Sequence, residues 1–229
     1  MKTWLIATLT LAALGAQAQA ADPLKAAVAV DHRSVGNVAR DVHRHPYETL
    51  SFFGIKPTDT VVELSPGGGW YTEILAPYLA AQGQLYAADG GNPRFKAKME
   101  SAGVYSKVKI TTFDAGKGLL DIAPPGSADA VLTFRNVHNW MSQGKTQDVF
   151  NAAFKALKSG GVLGVEEHRL PASRTQEDKA PSGYVQEATV IKFAEAAGFK
   201  LAGRSEVNAN PKDTADHPQG VWTLPPSYA

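Results

Sequence analysis

The 229-residue chain has no cysteine. Disulfide scaffolding, thiolate chemistry and dithiol redox chemistry are therefore excluded, as is a lipidated N-terminal cysteine. Stability has to come from an apolar core, which a chain of this length can build. There is also no surplus of charge of either sign. With Lys2 set aside as part of a leader, 22 Lys+Arg face 22 Asp+Glu. A balance of this kind argues against a nucleic-acid partner held by phosphate neutralisation. The one apolar run near the start, Trp4 to Leu14, is far short of the about 20 residues needed to span a bilayer. No fixed-period repeat and no low-complexity tract follows it.

What the N-terminus does have is a secretion pattern. Lys2 supplies a positive start, Trp4 to Leu14 the apolar segment, and Ala18-Gln19-Ala20 a small-residue cleavage site. The expected organisation is a signal peptide over 1–20, a helical cap over 21–56 broken at Pro46, and one domain over 57–229. The mature protein is expected to be periplasmic or secreted, without a membrane span.

From Thr60 onward, short β-branched runs alternate with helix-like stretches, the pattern of a parallel sheet wrapped by helices. Strands are predicted at Thr60 to Leu64, Gln84 to Ala88, Val108 to Thr112, Ala128 to Phe134, Gly161 to Glu166, Lys200 to Glu206 and Val221 to Leu224. Helices are predicted at Trp70 to Ala81, Pro93 to Ala102, Lys145 to Leu157 and Glu187 to Ala197. Breakers fall between them at Pro57, Gly83, Gly103, Pro124-Pro125-Gly126, Ser159-Gly160-Gly161 and Gly198. The polar stretch Asn208 to Gly220 reads as a long loop or lid before the last strand. The fold class is thus α/β, Rossmann-like, with seven mostly parallel strands and helices on both faces.

The sharpest local signal is Val61-Val62-Glu63-Leu64-Ser65-Pro66-Gly67-Gly68-Gly69-Trp70-Tyr71, an apolar strand running into glycines and then a helix. Glycines let backbone approach a ligand, and the helix start offers free N–H groups to an anionic group such as a carboxylate. Glu63 at the strand's end can answer a cationic group on the same ligand. No Gly-Lys-Ser/Thr follows, which excludes a P-loop. Thr72 stands where a dinucleotide fingerprint wants its third glycine, which disfavours a nicotinamide oxidoreductase. About twenty residues past the glycines, Asp89 ends the second strand, where a carboxylate can accept hydrogen bonds from ribose hydroxyls.

The run Glu63 to Gly69 resembles the E/D-x-G-x-G-x-G first motif of class I S-adenosylmethionine-dependent methyltransferases, with Ser65 in place of the first glycine. A serine suits that position where the turn keeps negative φ. The longer run Glu63 to Pro77, with His45-Pro46 before it and Val221 to Tyr228 at the end, is more narrowly similar to exported bacterial predicted methyltransferases, and the resemblance implies that the last, seventh strand is antiparallel. The resemblance implies S-adenosylmethionine as cofactor, lined by Glu63, Ser65, Gly67, Gly69, Asp89 and Asp114, the last at the position that meets the adenine amine. It also implies a small-molecule acceptor facing Phe134 to Trp140.

His138 and His168 follow the fourth and fifth predicted strands, at the carboxyl ends where ligands of open α/β sheets bind, and are the candidates for removing an acceptor's proton. Each could equally be a structural hydrogen-bonding group, and Trp70 and Trp140 are read as packing residues. His43-x-His45 beside Pro46 lacks metal-ligand spacing, so no metal site is expected. Because the cofactor is made in the cytoplasm, an exported protein that uses this pocket to bind a small molecule without transfer is the competing reading.

Overall fold

The computed structural model describes residues 22–225, 227 and 228; the predicted leader lies outside the described residues. Six strands form one sheet: β1 Thr60–Leu64, β2 Gln84–Asp89, β3 Lys109–Asp114, β4 Leu119–Asp121, β5 Ala128–Phe134 and β6 Leu157–Glu166. Their order is β4-β3-β2-β1-β5-β6. All neighbours are parallel except β3 and β4, which pair antiparallel from Thr112 opposite Asp121 to Asp114 opposite Leu119.

The central strands carry apolar side chains on both faces, as strands covered on both sides must. Val61 of β1, with Ala130 and Leu132 of β5, faces one core, while Val62 and Leu64 of β1, with Val131 of β5, face the other. On the first face lie α1 Pro23–Val28, α4 Pro46–Phe52 and α5 Thr72–Leu79, through Leu24, Leu50, Ile74, Leu75 and Leu79. On the second lie α7 Val137–Ser142 and α8 Thr146–Ala156, through Trp140, Met141, Val149, Phe150 and Ala153. Helix α6 Pro93–Ser101 follows β2, and α9 Glu187–Ala197 packs on α8.

The seventh strand is absent among the described residues, and the antiparallel strand is β4 rather than the last one. Residues 200–206 are irregular and lie almost wholly in solvent. They have no apolar face to bury, and their charged groups engage neighbours instead: Arg204 pairs with Glu187, and Glu206 with Arg169 at 2.7 Å. Residues 220–223 form a 3-10 turn, because Gly220 takes φ +57° and the Val221 N–H donates to the carbonyl of Ser182 at 2.9 Å. Strand β4 is three residues long, set by the turn Ala115 to Gly118, where Gly118 has φ +72°. β6 carries a register shift against β5, so its regular ladder runs from Val162 to Glu166.

Ahead of the sheet, α1, α2 Val35–Val38, α3 Asp41–Arg44 and α4 form a helical layer. Pro46 opens α4 at its first turn, where a missing N–H costs nothing. Buried ion pairs fix this layer. Arg33 binds Asp41 with both terminal nitrogens, at 2.6 and 2.8 Å, and its Nε lies 3.8 Å from Glu73 of α5. Glu73 also accepts from Ser34 Oγ at 2.6 Å and pairs with Lys98 of α6. Burial pushes the Glu73 carboxyl up, but the bonds from Lys98 and Ser34 outweigh it and hold it below its ordinary value.

Candidate active site

The strand order changes direction at β1, since β2 lies on one side of it and β5 on the other. This is the switch point at which open α/β sheets take their ligands, outside the carboxyl ends of the strands. Two non-glycine residues with left-handed backbone flank it: Ser65 after β1, at φ +50°, and Arg135 after β5, at φ +61°. Serine therefore occupies a position of positive φ, against the expectation of negative φ. The turn retains the geometry a glycine would favour, at a cost of about 1–3 kcal/mol. Strain of this kind, held in place by its surroundings, is typical of ligand sites.

Gly67 and Gly68 form the exposed corner of the turn, and a Cβ on either would meet nothing within 4 Å. Their N–H groups, and that of Trp70, have no partner among the described residues. The corner is thus open to an approaching anionic or polar group. Gly69, at φ +82°, closes its inner side, where a Cβ would come within 2.7 Å of the Lys98 side chain.

Asp89 lies beside this corner. Its Oδ2 accepts from the N–H groups of Gly91 and Asn92 at 2.8 and 2.9 Å, leaving Oδ1 without a partner among the described residues. The Asn92 side chain in turn donates to the carbonyl of Gly67 at 3.0 Å, joining the β2 end to the glycine corner. Asp114 ends β3 on the same side of the sheet and is occupied by its own turn, accepting from the Lys117 N–H at 3.1 Å and pairing with its Nζ at 2.9 Å. The Lys117 side chain beside it holds the Asp114 carboxyl below its ordinary value.

Glu63 is placed differently from the other predicted residues. It is 2% exposed and accepts from Thr72 Oγ1 at 2.6 Å, a strut between β1 and α5 behind the glycine corner. Burial raises its carboxyl to about 7, against a smaller opposing contribution from Thr72.

The second half of the site lies beyond β5 and β6. Asn136 donates to the carbonyl of Leu64 at 3.3 Å, tying the start of α7 to the end of β1. Two residues on, His138 is 5% exposed, and its Nδ1 lies 3.0 Å from Glu167 Oε1. The His138 and His168 rings stand 6.2 Å apart, with Trp222 edge-on to His138 at 5.8 Å and Tyr184 edge-on to His168 at 5.9 Å. Both predicted histidines thus meet in one cluster. Burial lowers His168 to about 4, so its ring stays neutral.

Beneath them Glu166 pairs with Arg135 and accepts from Tyr71 at 3.2 Å and from Asn208 at 3.0 Å. Burial raises the Glu166 carboxyl above its ordinary value, with the Arg135 guanidinium opposing. Asn208 also donates to Thr49 of α4 at 3.1 Å, and its Oδ1 lies 3.0 Å from His45 Nδ1. The helical layer, the sheet end and the 208 loop therefore meet at Glu166.

Six-stranded sheets of this order, with a glycine corner after β1 and an acid after β2, can be compared with known folds. A methyltransferase from Aquifex aeolicus dependent on S-adenosylmethionine superposes with a TM-score of 0.59 at 19% identity, over 72% of this chain and 85% of that one. The fold is that of the class I S-adenosylmethionine-dependent methyltransferases. An arsenic(III) S-adenosylmethionine methyltransferase from Chlamydomonas reinhardtii gives 0.53 at 16% identity, over 77% of this chain and 62% of that one. The [4+2]-cyclase SpnF gives 0.53 at 16%, over 73% of this chain and 59% of that one. No protein-family model and no curated protein matches the chain.

Sequence reasoning missed Glu166 and Glu167 as site residues, together with Asn92, Asn136 and Trp222. The run Glu166-Glu167-His168 at a strand end was the available signal for the two acids. Trp222 had none, because the strand predicted around it would have placed it elsewhere.

Proposed function

We propose that the protein is an S-adenosylmethionine-dependent methyltransferase. The observation that carries this reading is the pairing of an open glycine corner at Gly67-Gly68 with the half-free carboxylate of Asp89, joined through Asn92, on a methyltransferase fold. An anionic carboxylate suits the unpartnered N–H groups of the corner, and a ribose diol suits Asp89 Oδ1. Asp114 stands at the next strand end, where it can meet an adenine amine once Lys117 yields. Ser65, Gly67 and Gly69 supply the turn geometry. Glu63 acts from behind the corner, where an approaching cation favours its ionised form.

When bound, S-adenosylmethionine supplies an electrophilic methyl group on a sulfonium. The protein's part is alignment, exclusion of water and removal of the acceptor's proton. His138 and His168, gathered at the carboxyl ends of β5 and β6, are the groups for that last task. The acceptor is a small molecule that reaches the histidine cluster beside Trp222. The N-terminal pattern of Lys2, Trp4 to Leu14 and Ala18-Gln19-Ala20 supports action outside the cytoplasm.

Because the same fold serves a protein named as a [4+2]-cyclase, fold alone does not fix the chemistry. The reading is tested by titration calorimetry with S-adenosylmethionine, S-adenosylhomocysteine and, as a control, NADH. The expected result is binding of the first two at about micromolar Kd, weakened at least about tenfold, or about 1.4 kcal/mol, by Asp89→Ala. Absence of heat at millimolar ligand would sink it.

A further inference from the structure

We infer that Glu167 is a positioning residue that holds His138 as a proton acceptor, and that the methyl acceptor it serves carries a phenolic hydroxyl. The inference rests on the methyl transfer proposed above.

Glu167 spends its carboxylate on this one corner. Oε1 faces His138 Nδ1 at 3.0 Å and accepts from the His168 N–H at 2.8 Å, while Oε2 accepts from the His138 N–H at 3.2 Å. The carboxylate and the imidazole are each 6% exposed, so water does not compete for these bonds. An ionised carboxylate only accepts, so the ring nitrogen facing it carries the hydrogen. In the neutral ring Nε2 then keeps its lone pair. The backbone bonds fix the carboxylate to the start of α7 and to the end of β6, and through it the ring plane.

The surroundings of the His138 ring select the acceptor. A neutral amine already presents a nucleophilic lone pair and needs no base to expose it. A hydroxyl does not, and its proton has to leave as the bond to the methyl group forms, which a positioned imidazole can accept. Trp222 stands at right angles to His138, 5.8 Å between ring centroids, and is 39% exposed, so its free surface beside the base suits an aromatic ring, and a hydroxyl on an aromatic ring is a phenol. The His168 ring, 6.2 Å from His138 and held neutral by burial, adds no charge that would repel the imidazolium formed in the step.

In that step the phenolic oxygen forms its bond to the methyl carbon while its proton passes to His138 Nε2. The carbon–sulfur bond breaks with its electron pair left on sulfur, so sulfonium and imidazole become thioether and imidazolium. Glu167 stabilises the imidazolium without taking the proton itself.

The test combines nitrogen-15 NMR of the histidine rings with transfer of labelled methyl groups to catechol and 4-nitrophenol, benzylamine serving as the amine probe. The expected spectrum shows His138 protonated at Nδ1 and not at Nε2, and Glu167→Gln loses that signature. The expected assay shows methylation of at least one phenol and none of benzylamine. Glu167→Gln then lowers kcat at least about tenfold, with S-adenosylhomocysteine affinity unchanged by calorimetry. The wild-type spectrum carries the tautomer test if the variant does not fold. Nε2 protonation in the wild type would overturn the positioning role. Methylation of benzylamine alone, or of no probe by protein that binds S-adenosylhomocysteine, would overturn the acceptor class. Failure to bind S-adenosylhomocysteine would instead overturn the methyltransferase reading and take the acceptor class with it.

Discussion

At Glu63, folding moves a carboxyl from water into a core where Thr72 is its only hydrogen-bond partner among the described residues. Its rise from 4.5 to about 7 means that the folded protein holds a proton that the unfolded chain releases, so stability falls as pH rises from about 4.5 to 7. The full effect is about 3 kcal/mol. His168 works in the opposite sense. Lowered from 6.5 to about 4, it stays neutral in the fold while the unfolded chain takes up a proton, so stability falls as pH drops through that window. The two slopes oppose one another between about pH 4.5 and 6.5. Glu63→Gln keeps an acceptor for Thr72 and removes one slope. We predict that urea melts of this variant gain stability steadily from pH 4.5 to 6.5, whereas His168→Gln loses it over the same range. Parallel pH profiles for both variants and the wild type would contradict the account. Such burial was only half legible in the sequence. Glu63 could be placed at a strand end from the apolar run before it, but its occupation by Thr72 depends on how α5 returns over β1.

At the scale of elements, β1 and β5 and helix α9 have the boundaries that periodicity predicts, because uninterrupted apolar runs and flanking breakers leave a single period to choose. The C-terminal segment shows where that reasoning fails. Val221 to Leu224 is apolar enough for a strand, yet its geometry is dictated by contacts remote in sequence. A Cβ on Gly220 would fall 2.0 Å from the Ser182 carbonyl oxygen, and one on Gly183 would fall 2.3 Å from Val221 Cγ2. These two close approaches seat the 3-10 turn on the 182–185 segment and so place Trp222 against His138. Gly220→Ala is expected to cost about 1–3 kcal/mol, through the clash and the positive φ. The melt would show that loss, and a red-shifted tryptophan emission would show Trp222 released to water. Unchanged melting and emission would mean that the turn is not held this way. Strand β4 was missed for the opposite reason. Three residues carry too little pattern, although the glycines at 116 and 118 marked the hairpin turn.

Over the whole molecule, the parts of the proposed site come from segments far apart in the chain. The glycine corner and Asp89 belong to β1 and β2, the histidine cluster to the ends of β5 and β6, and Trp222 to the C-terminal turn. Asn136 bridges the first two groups by bonding Leu64, and Asn208 links Glu166 to the helical layer through Thr49. The first half was readable because a strand, a glycine cluster and an acid about twenty residues on are local pattern. The partnership of His138 with Glu167 was not, because it spans two strands whose adjacency only the sheet order reveals. The central claim is that the glycine corner and Asp89 form one cofactor site. The most direct measurement is a crystal structure of the protein grown with S-adenosylhomocysteine. The account predicts ligand density with the ribose hydroxyls on Asp89 Oδ1, the carboxylate on the N–H groups of Gly67 and Gly68, and the sulfur turned toward the His138 side of the β1–β5 crevice. Density elsewhere on the molecule, or an empty corner at saturating ligand, would contradict it.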